Sequence, residues 1–270
     1  MAIRMGIAGA AGRMGRALIA ASAERSDLRL SALLVRDAGQ GANLALPANA
    51  DHAPDIVSAP ERLFALSDIV IDFTSPAASV LHAGLAAERG MPLVLGTTGF
   101  DAKGERAIRA AAKKTALLRA ANFATGIALL VHLVRKAAAT LDMGYDIEIL
   151  EMHHAMKRDA PSGTALALGD AAAEGRGRAA SFAASDRSGI RKTGEIGFAV
   201  LRGGDVIGDH EVIFAGAGER LSLAHRATDR LVFARGALRA AAWLYGRPAG
   251  LYGLDDMLGL RAPEDRTDGE

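Results

Sequence analysis

The stretch from Leu150 to Gly169, "LEMHHAMKRDAPSGTALALG", gathers His153, His154 and Lys157 just before a Pro-Ser-Gly-Thr turn. Imidazole and ammonium groups can pass protons to a reacting molecule or hold an anion. Their spacing decides whether they can act together. On a continuing strand His153 and His154 point to opposite faces. If the chain turns helically after Met152, Lys157 lies four residues from His153 and three from His154, and all three can converge. Pro161 closes the turn, Ser162 stands where a helix N-cap belongs, and Gly163 and Thr164 open an Ala/Leu helix. The N–H groups of Gly163 and Thr164 can face a carboxylate or phosphate, with glycine permitting close approach. A helix cap and an anion site are compatible here. His132, His210 and His225 add possible metal ligands, but neither H-x-x-x-H nor H-E-x-x-H spacing occurs and no metal is expected.

A second chemical signal lies near the N-terminus. "GIAGAAGRMGRAL" sets Gly9, Gly12 and Gly15 at three-residue intervals between a strand and a helix. Glycine there lets the backbone turn tightly, lets a pyrophosphate approach the helix N-terminus, and lets that helix pack on the strand. A dinucleotide site also needs a group about 20 residues on that reads the adenosine ribose. The second strand ends in "LLVRD", where Val35 cannot accept a hydroxyl, Arg36 could face a 2′-phosphate, and Asp37 could reach a hydroxyl if the strand ends one residue later.

The elements that must carry these groups follow from the apolar pattern. Ile3–Ala8, Leu28–Val35, Ile69–Phe73 and Leu93–Leu95 read as strands, and Arg13–Ala23, Ala77–Arg89 and Ala102–Lys114 as helices. That alternation implies an α/β fold with a doubly wound parallel sheet. After "AANFATG" the pattern changes. A helix over Ile127–Thr140 precedes the histidine stretch, and Gly194–Leu201, Val206–Phe214 and Arg220–His225 read as strands of a mixed or antiparallel sheet. "LVFARGALRAAAWLYG" returns to helix, and the polar tail from Arg261 is expected to fray. The expected division is residues 1–124 with 234–270 for dinucleotide binding and residues 125–233 for substrate binding and oligomerisation.

The 32 basic and 31 acidic residues nearly balance, leaving no global field to draw nucleic acid or an anionic membrane. With no cysteine, thiol catalysis, disulfides and thiolate metal sites are excluded. Arg4, Arg13 and Arg16 interrupt the first apolar run, and no run approaches the roughly 20 residues needed to cross a bilayer, so a cytoplasmic protein is expected.

These residues resemble the 4-hydroxy-tetrahydrodipicolinate reductase family, also called dihydrodipicolinate reductase, of bacterial lysine biosynthesis. The family's E-x-H-H-x-x-K-x-D-x-P-S-G-T-A motif runs without a gap from Glu151 to Ala165. "AGAAGRMGR", "IDFTSP", "LGTTGF", "AANFATG" and "AGERLSLAHRATDRLVFARGALRAAAWL" extend the likeness over nearly the whole chain. The resemblance implies a homotetrameric NAD(P)H-dependent oxidoreductase, with a Rossmann-like domain and a second α+β domain, that reduces a small cyclic dicarboxylate on the diaminopimelate route. By position it implies that Gly9, Ala10, Ala11, Gly12, Arg13 and Met14 hold the pyrophosphate. Gly96, Thr97 and Thr98, with Ala120, Ala121, Asn122 and Phe123, would line the nicotinamide side. His153 would give or take a proton, Lys157 would donate one, and His154, Gly163 and Thr164, with Ser162 in the same turn, would hold the substrate's carboxylates. Val35 stands where well-known members carry a glutamate for the ribose, whereas Arg36 matches; NADPH is therefore expected to be preferred, with NADH accepted. Another amino-acid-type dehydrogenase, a non-catalytic dinucleotide sensor and a structural interaction protein are the alternatives, of which the last two have no use for His153 and Lys157.

Overall fold

The computed structural model describes residues 2–37, 39, 43–46, 53–177 and 189–260, so the expected polar tail from Arg261 lies outside the described residues. The chain forms two compact units, Met1–Thr125 with Leu231–Glu270, and Gly126–Arg230. In order along the chain, the first unit begins with β1 (Ile3–Ala8), α1 (Arg13–Ser22), β2 (Leu28–Leu34), β3 (Asp55–Val57), α2 (Pro60–Ala65) and β4 (Ile69–Asp72). It continues through α3 (Pro76–Arg89), β5 (Leu93–Leu95), α4 (Ala102–Ala112) and β6 (Ala116–Arg119). The second unit follows with α5 (Thr125–Thr140), β7 (Asp146–His153), α6 (Gly163–Gly175), β8 (Ile196–Arg202), β9 (Gly208–Gly216) and β10 (Glu219–Ala227). The chain then returns to the first unit with α7 (Leu231–Leu244), β11 (Gly250–Tyr252) and α8 (Leu254–Leu258).

The first unit's sheet is wholly parallel, in the order β11-β6-β5-β4-β1-β2-β3. This is a Rossmann-like, doubly wound arrangement. Its central strands are continuous apolar runs because both faces are covered: Ile7, Ile71 and Val94 are fully buried. The strand order reverses between β1 and β4, which opens a crevice at their C-terminal ends. Local chemistry sets the flanking helices. Ser75 caps α3 ahead of Pro76, and Gly90, with φ of 60°, ends it. Asp101 caps α4 through the Gly104 N–H at 2.7 Å. Helix α7 packs on α1, β4, β5 and β6, and β11 pairs with β6 at the sheet edge.

The second unit holds a mixed sheet in the order β10-β9-β7-β8, in which β7 runs parallel to β8 and antiparallel to β9. Along β7, Ile147, Ile149, Glu151 and His153 are buried and the residues between them are half-exposed. Helix α6 packs on this sheet. The face carrying the intervening residues presents Leu150, Met152 and, from its register partner strand, Leu201. Among the described residues no helix is long and apolar enough to cross a membrane.

Candidate active site

Two polar clusters stand out, one in each unit. In the first unit, a cavity of about 540 Å³ is lined by Gly9, Ala11, Gly12, Val35, Arg36, Phe73, Thr74 and His82, among others. It lies where β1, β2 and β4 end. Gly9 has φ of +83°, and a Cβ there would sit 2.5 Å from the Phe73 carbonyl oxygen. At Gly15 a Cβ would overlap the Gly9 carbonyl and the Ala10 backbone, so α1 can approach the turn only because position 15 has no side chain. Gly12 occupies the N-cap of α1 with no side-chain cap, and the first turn has no acidic residue. A helix N-terminus uncapped by any side chain and free of carboxylates suits a phosphate. Strand β2 ends at Leu34, one residue earlier than expected, and places buried Val35 together with Arg36 on the cavity wall.

The other residues expected on the cofactor side follow the ends of β5 and β6. Gly96 abuts the Phe73 ring so closely that a Cβ would overlap it. Phe73 in turn meets Phe123 edge-on, with ring centroids 5.5 Å apart. Thr97 Oγ1 is buried and accepts from the Thr74 N–H at 3.1 Å and from Ser79 Oγ at 2.8 Å, whereas Thr98 is exposed. Asn122 Oδ1 accepts the Ala124 N–H at 2.9 Å, and Ala120 and Ala121 lead into that turn. Beneath these loops lies a buried pair that sequence reasoning passed over. Asp72 accepts from Thr74 Oγ1 at 2.6 Å and faces His82 Nδ1 at 2.9 Å. Asp72 ends β4 and His82 lies within α3, ten residues on, so the fold and not the local sequence brings them together.

The second cluster centres on His153. Of the two courses open to the chain after Met152, the helical turn that would bring His153, His154 and Lys157 together does not form. β7 stays paired through His153, whose register partner on β8 is Arg202, so His153 and His154 do not share a face. The turn comes later, with the Lys157 N–H donating to the His154 carbonyl at 3.1 Å. Lys157 Nζ bonds both carboxylate oxygens of Asp159, at 2.8 and 2.9 Å. That ammonium holds the Asp159 carboxyl below the usual carboxylate range.

His153 is instead backed by Glu151, two residues earlier on the same face, with Nδ1 at 2.5 Å from Oε2. Glu151 is fully buried and takes two bonds from the Arg202 guanidinium, at 2.9 and 3.0 Å, and one from the Ser162 N–H at 3.0 Å. Burial by itself would raise the Glu151 carboxyl. The bonds from Arg202, His153 and the Ser162 N–H outweigh it and hold the carboxyl below its ordinary value. His210, from β9, meets His153 edge-on at 5.1 Å, and its Nε2 lies 3.2 Å from Ser162 Oγ. Burial first, then the neighbouring His153, pushes His210 down to about 4, so its ring is neutral at pH 7.

Ser162 caps α6 through the Ala165 N–H at 3.2 Å and is itself buried. Gly163 and Thr164 therefore head the helix, Gly163 exposed and Thr164 half-buried. Apart from its chain neighbours and the backbone of its own helix, no atom of the described residues lies within 4 Å of where a Gly163 Cβ would sit, so packing among them does not impose glycine at this position. The cluster can deliver a proton from a histidine ring beside a helix N-terminus that receives an anion. Glu151 sat inside the quoted motif without a role, and its signal was the two-residue spacing to His153 on one strand. Arg202 and His210 gave no local signal, because sheet register alone brings them in.

Comparison with known proteins matches residues 3–123 to the family model "Dihydrodipicolinate reductase, N-terminus" and residues 126–258 to "Dihydrodipicolinate reductase, C-terminus". A 4-hydroxy-tetrahydrodipicolinate reductase of Beijerinckia indica is 48% identical over 273 residues, covering 96% of this chain and 98% of the relative. One of Bartonella bacilliformis is 47% identical over 267 residues, covering 96% and 99%. Among solved structures, a dipicolinate-bound dihydrodipicolinate reductase from Paenisporosarcina sp. TG-14 superposes with a TM-score of 0.79 at 27% identity, covering 95% of this chain and 99% of that one.

Proposed function

Because the chain belongs to the dihydrodipicolinate reductase family, we propose that its two clusters divide a single reduction between them, one binding the nucleotide and the other the substrate. The chain is an NAD(P)H-dependent oxidoreductase that reduces 4-hydroxy-tetrahydrodipicolinate to tetrahydrodipicolinate. The 4-hydroxyl leaves as water, and the reduced nicotinamide, when bound, would supply hydride to the conjugated imine so formed, with one proton taken up. Charge then builds on the ring nitrogen or enamine, and a positioned acid must quench it. His153 serves as that acid, and Lys157 supplies a second proton donor and a positive field. His154 and the Ser162–Thr164 turn anchor the two carboxylates. The carrying observation is that the Glu151–Ala165 run folds so that a carboxylate-backed histidine adjoins a helix N-terminus whose Gly163 is left open. The test is to follow NAD(P)H oxidation with freshly made substrate; absence of turnover in folded protein would count against the reading.

The turn yields a specific expectation. Thr164→Val should raise KM for the dicarboxylate with little effect on kcat, because a carboxylate anchor is made in ground and transition states alike. Steady-state kinetics decide it, and an unchanged KM would restrict the hydroxyl to packing or capping.

For the cofactor, the cavity residues Gly9, Ala11, Gly12 and Arg36 fit a dinucleotide; on this reading Gly9 to Met14 hold the pyrophosphate, Arg36 faces the ribose, and the Gly96–Thr98 and Ala120–Phe123 loops serve the nicotinamide side. Val35 offers no carboxylate to accept the ribose hydroxyl or to repel a 2′-phosphate. Arg36 can pair with that phosphate, a contact worth about 1.5–3 kcal/mol, or roughly ten- to a hundredfold in affinity. NADPH should be preferred and NADH still used, since Asp37 follows directly. Comparing kcat/KM for both cofactors, Val35→Glu should move the ratio toward NADH and Arg36→Ala should selectively weaken NADPH. A parent that strongly prefers NADH, with a ratio unmoved by either change, places ribose recognition elsewhere.

The second unit is assigned to substrate binding and oligomerisation. The half-exposed sheet face with Leu150, Met152 and Leu201, beside Glu211 and Asp209 of β9, is the candidate seat for another copy in a homotetramer.

A further inference from the structure

We propose that Glu151, clamped by Arg202, is a positioning residue for the reduction: it holds His153 with hydrogen on Nδ1, so that Nε2 is the atom that releases and recovers the proton, and it ties that ring to the Ser162 turn. The proposal rests on the reading of His153 as proton donor given above. Glu151 faces four donors at once, two from Arg202, one from the Ser162 N–H and one from His153 Nδ1. An ionised carboxylate can accept all four, whereas a protonated one would have to fit a further hydrogen among them. Nδ1 must therefore be the N–H end of the ring, which leaves Nε2 as the site of proton exchange. Gly208 keeps that edge clear, since a Cβ there would come within 3.0 Å of Nε2.

Glu151 on its own strand is negative and bonds the ring directly, Arg202 on β8 pairs with Glu151 and offsets part of that charge, and His210 on β9 is neutral. On the following loop, Lys157 is paired with Asp159. A positively charged His153 thus has a carboxylate at its back and an uncharged imidazole at its side. Since Glu151 also bonds the Ser162 N–H, the proton donor and the turn assigned to the substrate carboxylate share one rigid support. A buried carboxylate behind a histidine sets the tautomer and orientation in the same way in serine proteases, where an amide in its place keeps the geometry but presents the wrong tautomer.

The test compares kcat and both KM values for Glu151→Gln, His153→Gln and the double variant. Glu151→Gln should lower kcat about 10²- to 10³-fold, within the range for a lost general acid, with the cofactor KM unchanged. The double variant should fall within a few fold of His153→Gln alone, because a residue that acts through His153 has nothing left to position. Histidine ring ¹⁵N shifts, assigned with His153→Gln, should show hydrogen on Nδ1 in the parent and on Nε2 in Glu151→Gln. Losses that multiply in the double variant, or near-parent turnover in Glu151→Gln while His153→Gln is crippled, overturn the positioning role and leave His153 as donor. Near-parent turnover in His153→Gln overturns the premise instead, without reference to any Glu151 variant. If Glu151→Gln does not fold, Arg202→Lys carries the same comparison: it keeps the charge and loses the two-pronged clamp, and its loss should likewise vanish in the His153→Gln background.

Discussion

Replacing His153 with glutamine is expected to lower kcat by about 10² to 10⁴, the usual range for removing a general acid, while leaving NADPH affinity near the parent value. Lys157→Ala should do likewise. The two losses have different physical origins. His153 is buried in the sheet with Nδ1 against Glu151, so on the proposed reading its replacement would remove a proton donor of fixed direction. Lys157 is held by an exposed carboxylate, Asp159, which a substrate carboxylate can replace as partner without leaving a buried charge unpaired. Stopped assays of NADPH oxidation and direct NADPH titration separate the chemical step from cofactor binding. Near-normal turnover in both single variants would end the assignment of these residues to catalysis.

The second large effect is expected at Gly15. A methyl group there overlaps the Gly9 carbonyl and the Ala10 backbone, neither of which can rotate away as a side chain could. Gly15→Ala should cost about 1–3 kcal/mol of stability, as overpacking does, and should weaken NADPH at least tenfold by pushing α1 off the glycine turn. Gly12→Ala makes the informative contrast. Its Cβ would lie 3.2 Å from the Gly9 oxygen, a contact that a shift of a few tenths of an ångström relieves. Thermal melts with NADPH titrations on both variants read the difference. A Gly15→Ala protein matching the parent in melting temperature and affinity would show that the turn has slack the structure does not display.

The alternation of strands and helices was legible because β1, β2, β4 and β5 are short apolar-rich runs and α1, α3 and α4 each run for ten or more residues. The elements missed, β3, α2, β6, β11 and α8, span only three to six residues, too few for a period to emerge. The candidate residues for chemistry were legible as types, since His153, Lys157 and Ser162–Thr164 are adjacent in sequence. Their arrangement was not. Whether the chain turns at Met152 or after His154 depends on pairing with Arg202, almost fifty positions away, and that register leaves no mark within the motif. For the same reason Glu151 could be quoted but not given a task, and the Asp72–His82 pair under the nucleotide cavity went unremarked.

The division of the first unit into two stretches of chain bears on how the protein is made. On the ribosome the inserted unit, residues 126–230, is contiguous and has all its strands once its own span has emerged. The first unit, though begun first, must wait for α7 to cover β4, β5 and β6 and for β11 to complete the sheet. At bacterial and eukaryotic elongation rates of about 5–20 residues per second, that wait is on the order of ten seconds. During it the nascent chain carries a bare apolar sheet face and an unpaired β6 edge, the features that recruit chaperones or foster misassembly. The segment synthesised first is thus the last to finish folding, and a message truncated between Arg230 and Gly250 yields a chain with its later unit entire and its earlier one open.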